Sequence, residues 1–365
     1  MRRLVLAALG VAACAHAGPR ANHQQPGKVV AVALAGEVVY AWQAERLVAW
    51  NFSQPVARPR PIDLGRPVGL VEDGSVAVTA THDGRRTRLD VWALGTRTRT
   101  FTRTFDDGVG VLGVSRASVA LCVMLPQGTP GSGAPNALPP DHSHRALWQL
   151  APNTVAEFGG DCDGAVAMSP DGERSVSRSF GLTWTDRGKQ RARFMDLAPD
   201  WSLPAPPTGP AEESPGKPSY VPYPYDILSL RLGAGGSDVY VTYRGTDDGK
   251  GWRVERWTPE APQDEAPPWR QGSITRLAST DRGRGRLLAV SPDGSLLVLG
   301  DDGAALTVRR APRYEPERLA GDAMTVAATA AVLSPDGARL VTGHADGRLV
   351  LWDVRSGRLL ATVSP

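Results

Sequence analysis

The 365-residue sequence carries little net charge, few aromatic residues and only three cysteines. Its 41 basic and 38 acidic residues leave a formal charge of +3, so charge gives no support for binding to nucleic acid or to an acidic membrane surface. The apolar stretch at residues 4–13 is too short to cross a bilayer, which takes roughly 20 residues. Apolar residues still make up 41% of the chain, which is enough for a folded core and too much for a disordered protein.

The sequence also lacks the local motifs of common enzyme classes. It contains no G-x-S-x-G elbow, no H-E-x-x-H pair and no glycine-rich phosphate loop. The densest histidine cluster, Asp141-His142-Ser143-His144, offers one carboxylate and two imidazoles in a short loop that supplies no further ligand. Residues 161–164 begin like a calcium loop but lack the glutamate that should follow. We therefore predict no enzyme activity, no metal site and no cofactor.

The N-terminus has the organisation of an export signal. Arg2 and Arg3 precede the apolar stretch 4–13, which has the length of a signal-peptide core, and small residues then lead to Cys14. This end resembles the lipobox of bacterial lipoproteins. The resemblance implies a signal peptide at 1–13, cleavage before Cys14, lipidation of its thiol and a tether at 14–27. Cleavage after Ala17 without a lipid is the alternative.

The C-terminal segment 331–353 contains three short apolar runs separated by two Asp-Gly turns. Asp-Gly between alternating apolar residues is a strong hairpin signal, because such turns need positive φ. A fourth run follows at 359–363, and four antiparallel strands in about 40 residues form one propeller blade. The string that ends in Trp352-Asp353 resembles the WD-repeat family.

The same unit recurs along the chain. Ser-Pro-Asp-Gly appears at 169–172, 291–294 and 334–337, and weaker first-turn positions bring the count to seven. The third-strand slot gives the same count, with Ala192–Met195 and Leu306–Arg309 in the two units that lack tryptophan there; the others carry Trp50, Trp92, Trp148, Trp257 and Trp352. We predict an all-β fold, a seven-bladed β-propeller of four-stranded antiparallel blades. The propeller covers 28–365, with blades at about 28–64, 65–107, 108–159, 160–207, 220–270, 273–321 and 325–365.

The chain departs from the family pattern in ways that bear on packing. The Gly-His pair that opens a typical repeat is absent, and we expect His344 in the turn after strand two. Only Trp352-Asp353 is a true Trp-Asp pair, so most of the buried His–Ser–Trp–Asp network that the resemblance implies should be missing. The tryptophans are predicted to fill the space between blades. The ring should close by packing or through residues 18–28, as a monomer.

Two cysteines, Cys122 and Cys162, remain after the lipid site, and they fall in neighbouring predicted blades. An exported protein can keep a disulfide. The sequence leaves two alternatives, a bridge between them or two buried free thiols.

Long loops point to the binding surface. Residues 126–143 lie between strands two and three of the third predicted blade, residues 204–224 join the fourth and fifth blades, and residues 244–251 lie within the fifth. Loops at these positions emerge on one face of a propeller. We predict partner contacts there from His142 and His144 and from a Pro-Tyr segment that contains Tyr220, Tyr223 and Tyr225.

These observations predict a binding scaffold. We expect a lipoprotein anchored to the bacterial outer membrane through its lipid alone, facing the periplasm or the surface, that holds an envelope protein or peptide on the long-loop face and binds no nucleic acid. The alternative is a propeller enzyme or small-ligand binder of the lactonase-like or quinone-dependent kind, which would need carboxylates or histidines to converge on the central channel.

Overall fold

The structure is a computed structural model, and it describes most of the chain from residue 27 onward. The described residues are 27–54, 58–84, 86–106, 108–124, 144–157, 162, 166–169, 171–179, 181–186, 189–194, 226–233, 238–244, 252–258, 273–280, 286–300, 306–319 and 326–364. The predicted signal peptide and all of the predicted tether except Gly27 lie outside this range.

Within the described residues, 28 strands form seven four-stranded antiparallel sheets, each built from four strands consecutive in the chain. The first sheet contains β1 (Val29–Ala35), β2 (Val38–Gln43), β3 (Arg46–Asn51) and β4 (Arg60–Ile62). The second contains β5 (Arg66–Leu70), β6 (Val76–Asp83), β7 (Arg86–Ala93) and β8 (Thr98–Phe105). The third contains β9 (Val109–Val114), β10 (Ser118–Val123), β11 (His144–Gln149) and β12 (Thr154–Glu157).

The other four sheets follow the same order. The fourth contains β13 (Val166–Met168), β14 (Arg174–Ser179), β15 (Gly181–Asp186) and β16 (Lys189–Phe194). The fifth contains β17 (Asp226–Leu232), β18 (Val239–Arg244), β19 (Trp252–Thr258) and β20 (Ser273–Thr280). The sixth contains β21 (Arg286–Val290), β22 (Leu296–Gly300), β23 (Leu306–Arg310) and β24 (Glu315–Arg318). The seventh contains β25 (Ala328–Leu333), β26 (Arg339–His344), β27 (Leu349–Asp353) and β28 (Arg358–Val363).

The first strands of the sheets surround a common axis. Each contacts the first strand of the next sheet, and β25 of the last sheet packs against β1 of the first. Together with the antiparallel four-stranded sheets, this defines a β-propeller, in which each sheet is a blade. The predicted all-β propeller class is therefore confirmed.

The turn between the first two strands explains why Ser-Pro-Asp-Gly recurs. In the turn of the seventh blade, the Ser334 hydroxyl donates to Asp336 Oδ1 at 2.5 Å, and Gly337 has φ of 68°, which favours glycine. The turn of the sixth blade repeats this bond, and the Ser291 hydroxyl lowers the pKa of Asp293 to about 2. These carboxylates are used inside the turns as hydrogen-bond acceptors.

Two predicted boundaries need correction. In the fourth blade the third strand is β15, so Ala192–Met195 was wrongly assigned; it overlaps β16, the fourth strand. In the strand register, Thr185 of β15 holds the position that Trp352 holds in β27. In the fifth blade the fourth strand is β20, beyond the predicted end at 270. The proline-rich residues 259–272 look like a linker between blades, but they connect β19 to β20 instead.

The tryptophans of the third strands occupy the spaces between neighbouring blades. Trp50, Trp148, Trp257 and Trp352 are fully buried, whereas Trp92 is half-buried. Trp352 packs with residues of the sixth blade, and Trp50 packs with residues of the seventh. Burying one such side chain removes about 200 Å² of apolar surface from water.

The first and last blades join by side-chain packing and a few hydrogen bonds. Gly343 of β26 lies so close to Val29 that a Cβ atom there would come within 2.2 Å of Val29 Cγ1. Gln43 Nε2 donates to Gly347 O at 2.8 Å, and Thr329 Oγ1 donates to Val29 O at 2.5 Å. In the described chain no sheet contains strands from both ends of the sequence, so the junction is made by packing.

Candidate functional site

The axis of the propeller is lined mainly by apolar side chains. The described first strands contain four ionisable residues, Arg66, Asp226, Arg231 and Arg286, and no histidine. Within the described residues, no group of three or more His, Cys, Asp or Glu side chains is placed to hold a metal ion. The alternative prediction, a propeller enzyme or small-ligand binder, required such groups to converge on the central channel from several blades.

The first strands share a local irregularity. Six of them leave one residue unpaired with the second strand, and each such residue forms a bulge; these residues are Val30, Val68, Leu112, Leu228, Leu288 and Thr329. Bulges increase the local twist of a strand. The strands nearest the axis are therefore twisted in the same way in most blades.

One end of the axis is bridged by an ion pair between blades that are not neighbours. Arg231, near the end of β17 in the fifth blade, places Nη1 3.2 Å from Glu72 Oε1 in the first turn of the second blade. Its Nη2 donates to Leu288 O of the sixth blade at 3.2 Å. The Glu72 carbonyl in turn accepts the Leu34 amide of the first blade at 2.9 Å. This bridge lies on the face that carries the turns between first and second strands, which we call the turn face.

The long loops leave the opposite face, which we call the long-loop face. Chain order places 125–143 between β10 and β11, 195–225 between β16 and β17, and 245–251 between β18 and β19. Connections from strand two to three and from one blade to the next both emerge opposite the first turns of a four-stranded antiparallel blade. The predicted positions of the three loops between strands agree with the observed strand order.

A disulfide lies under the long-loop face. Cys122, near the end of β10, is bonded to Cys162 in the connection from the third to the fourth blade, with the two Cα atoms 5.4 Å apart. Both cysteines are buried. Of the two alternatives left by the sequence, the structure has the bridge. It ties the end of β10, just before the 125–143 loop, to the connection between the third and fourth blades.

Most of the predicted site residues lie outside the part of the chain that the structure describes. Cys14, His142, Tyr220, Tyr223 and Tyr225 lie outside the described residues. His144 is half-buried at the start of β11, opposite Val123 in the strand register. Its position is therefore at the base of the 125–143 loop.

A buried hydrogen-bond chain in the seventh blade was missed in the sequence. His344 is the last residue of β26, so its predicted place in the following turn was wrong; the tight turn closed by Gly347 N and His344 O at 3.1 Å begins only there. His344 Nδ1 lies 2.9 Å from Val326 O, and its Nε2 lies 3.0 Å from Thr342 Oγ1. Trp352 Nε1 donates to the same Thr342 oxygen at 3.0 Å.

Every group in this series of hydrogen bonds has a partner when His344 is neutral. Nδ1 must then donate to the Val326 carbonyl, which leaves Nε2 to accept the Thr342 hydroxyl. Burial is the main cause that lowers the pKa of His344 and so keeps it neutral. Asp353, by contrast, contacts Arg339 at 3.1 Å and the Ser356 hydroxyl at 2.7 Å, at the edge of the blade. The seventh blade thus retains part of the His–Ser–Trp–Asp network that the WD-repeat resemblance implies, and its histidine lies on the second strand.

In the seventh, second and first blades one position of the second strand decides whether the indole N–H has a hydroxyl partner; Trp148 Nε1 donates instead to Asn153 Oδ1 at 2.8 Å and Trp257 Nε1 to Glu255 Oε2 at 3.2 Å. Thr79 in the second blade holds the position of Thr342 and accepts Trp92 Nε1 at 2.9 Å. Ala41 holds that position in the first blade, where Trp50 Nε1 is buried with no partner among the described residues. A threonine 10 or 13 residues before the tryptophan is the sequence signal for the two blades in which a second-strand hydroxyl accepts the indole N–H.

Comparison with known proteins supports the fold and leaves the family open. No protein-family model matches the chain, and no curated protein matches it. The β-propeller domain of Cps50 (Swd1) from Myceliophteria thermophila is similar in structure, with a TM-score of 0.56, 13% identity, and coverage of 90% of this chain and 97% of that one. The computationally designed Ika8 protein is similar over 93% of this chain and 88% of its own, with a TM-score of 0.53 and 16% identity.

At these identities the similarity shows the fold alone. The chain has the fold of a β-propeller with four-stranded antiparallel blades. Among the described residues, no helix is long and apolar enough to cross a membrane.

Proposed function

We propose that this protein is a seven-bladed scaffold that binds an envelope protein or peptide on its long-loop face and performs no chemistry. The observation that carries the proposal is the difference between the two ends of the axis. The turn face is bridged by Arg231 and Glu72. The opposite face receives the two longest connections between strands, 125–143 and 195–225, and long loops on a rigid scaffold are typical binding elements.

The disulfide supports both the location and the face. Disulfides persist in oxidising compartments, so the Cys122–Cys162 bridge favours export from the cytoplasm. Its position at the base of the 125–143 loop fixes where that loop leaves the blade. A partner would therefore bind a loop whose two ends are fixed by β10 and β11, and the Cys122–Cys162 disulfide further restrains the end at β10.

A matched deletion experiment tests the binding face. The purified protein, with its loops intact, is incubated with solubilised envelope proteins and crosslinked, and captured partners are identified by mass. Deleting 126–143 or 205–224 should abolish capture of a given partner. Deleting 261–270, in the connection between β19 and β20 on the turn face, is the control and should leave capture unchanged. Capture that survives both long-loop deletions would refute the proposed face.

We further propose that the chain is anchored to the bacterial outer membrane through a lipid on Cys14. Small residues before this cysteine at the end of a short apolar stretch support this part of the proposal. The test is the intact mass and membrane fractionation of the native protein beside Cys14→Ala. We expect the native chain to begin at Cys14 and to carry added acyl mass. The variant should lose both the acyl mass and the membrane association. Two soluble chains that both begin near Gly18 would refute the anchor.

A further inference from the structure

The outer strand of the second blade, β8, is one of the two longest described outer strands; β20 of the fifth blade has the same length. β8 is eight residues long and contains no proline, whereas β4 and β24 have three and four residues and contain Pro61 and Pro316. Proline and short length are two ways in which proteins prevent pairing at a sheet edge. In the part of the chain that the structure describes, β8 pairs as a strand only with β7. Its outer edge is therefore long and free of proline, and its register with β7 is interrupted once, by a bulge at Thr100.

The side chains of β8 suit the addition of another strand. Its threonines, Thr98, Thr100, Thr102 and Thr104, are exposed. Phe101 and Phe105 are half-buried and pack with the core of the second and third blades. The strand is thus fixed to the propeller by its aromatic side chains. Threonine is favoured in strands, and its small side chain leaves the backbone edge accessible.

Charge near this edge is predominantly positive. Arg97 and Arg99 lie at the start of β8, and Arg88 lies on β7; all three are exposed. Asp90 is their main carboxylate partner here, 3.1 Å from Arg88 Nε and 3.6 Å from Arg99 Nη1, and it is only 3% exposed. Among the described residues Arg97 forms no ion pair. The one buried carboxylate therefore pairs with two of these three guanidinium groups.

The positive charge near β8 determines which kind of strand can pair with it. A second copy of β8 would bring arginines opposite or close to arginines, and like charges across a strand pair are destabilising. Carboxylates at alternate positions of an extended segment would instead meet the arginines while the backbone pairs with β8. We propose that β8 is a docking edge for an extended acidic segment of a partner protein, which adds to the second blade as a fifth strand. This edge is separate from the long-loop face and does not depend on it.

The test uses a defined probe on the intact protein. A fluorescent, capped six-residue peptide of alternating Glu and Val is titrated with the protein at low ionic strength, and binding is followed by anisotropy. The variant combines Arg97→Asn, which tolerates the positive φ of 55° at that position, with Arg99→Gln, which removes the guanidinium whose Cζ lies 5.9 Å from the centre of the Trp92 ring. The control is Arg358→Gln on the outer strand β28. Thermal melting confirms that the variants are folded.

We expect the Glu-Val peptide to bind, and the double variant to bind it about tenfold more weakly, because two favourable charge pairs are lost. Arg358→Gln should bind as the native protein does. A peptide with Lys in place of Glu, and a Glu-Val peptide methylated at alternate amide nitrogens, should both bind at least about tenfold more weakly. Equal binding of either peptide, equal binding by the double variant, or no binding of the Glu-Val peptide would overturn the proposal.

The long-loop deletions keep this test separate from the proposed function. Deleting 126–143 should leave peptide binding at β8 unchanged, because the loop leaves the third blade on the opposite side of its strands from the end where Arg97 lies. Loss of peptide binding in the Arg97 and Arg99 variant with normal capture by the long-loop face would support two independent surfaces. Loss of peptide binding on deleting 126–143 would contradict the assignment to β8.

Discussion

Replacing Thr342 by valine tests whether the hydrogen-bond chain in the seventh blade stabilises the propeller. Valine keeps the branched shape and removes only the hydroxyl, which accepts from Trp352 Nε1 and donates to His344 Nε2. All three side chains are fully buried, so water cannot replace the lost bonds. Each buried polar group left without a partner costs about 1–3 kcal/mol, so we expect the two groups to cost about 2–6 kcal/mol together.

The matched control is the same substitution at Thr79 in the second blade. There the hydroxyl serves only Trp92 Nε1, and Trp92 is half-buried, so its N–H has access to solvent after the change. We expect Thr79→Val to cost about 1 kcal/mol or less. Thr342→Ser keeps the hydroxyl and should recover most of the stability that Thr342→Val loses.

The assay is urea denaturation followed by tryptophan fluorescence, with the slope of the transition compared between variants. Because a propeller of this size can unfold in parts, hydrogen exchange at β26 and β27 should be measured in parallel. A loss below about 0.5 kcal/mol for Thr342→Val would refute the reasoning, since surface changes of no structural importance fall in that range. Equal losses for Thr342→Val and Thr79→Val would refute it too.

Three further predictions address other parts of the ring. The folded pKa of His344 lies below its unfolded value of about 6.5, so its contribution is fully present above that pH and is lost as the pH falls; acid should destabilise the native protein more than His344→Gln in urea denaturation. Cys122 and Cys162 are 40 residues apart, so changing both to alanine should cost about 4 kcal/mol and remove the effect of reductant on the melting temperature. Gly343→Ala should cost about 1–3 kcal/mol by crowding Val29, and adding Val29→Ala should recover part of that loss; no recovery would contradict the close contact between first and last blades.

The fold was predictable because its signals are local. Asp-Gly turns need positive φ, which Gly294 and Gly337 have, and a tryptophan in the third strand marks the blade wherever it is present. The fourth blade has threonine in that slot, and so the sequence assigned its third strand wrongly. The fifth blade was cut short because a proline-rich connection inside a blade has the same composition as one between blades.

The site was less predictable because its contacts join residues far apart in the chain. Nothing near Arg231 indicates that its guanidinium reaches Glu72 of the second blade, since that distance is set by the closure of the whole ring. The disulfide could be proposed but not decided, because two cysteines in neighbouring blades fix no Cα separation. The bond between Thr342 and His344 required the true end of β26, and strand ends are the least certain part of a sequence prediction.

The first blade offers the converse of the Thr342 experiment, because it lacks the acceptor that the seventh blade has. Ala41 occupies the position of Thr342, and Trp50 Nε1 is buried there with no partner among the described residues. Ala41→Ser would place a hydroxyl where Thr342 and Thr79 place theirs, and we expect stability to rise by about 1 kcal/mol, as measured by urea denaturation. Ala41→Val adds bulk without an acceptor and should lower stability. If both variants are destabilised equally, the indole N–H of Trp50 is not the group that limits the stability of this blade.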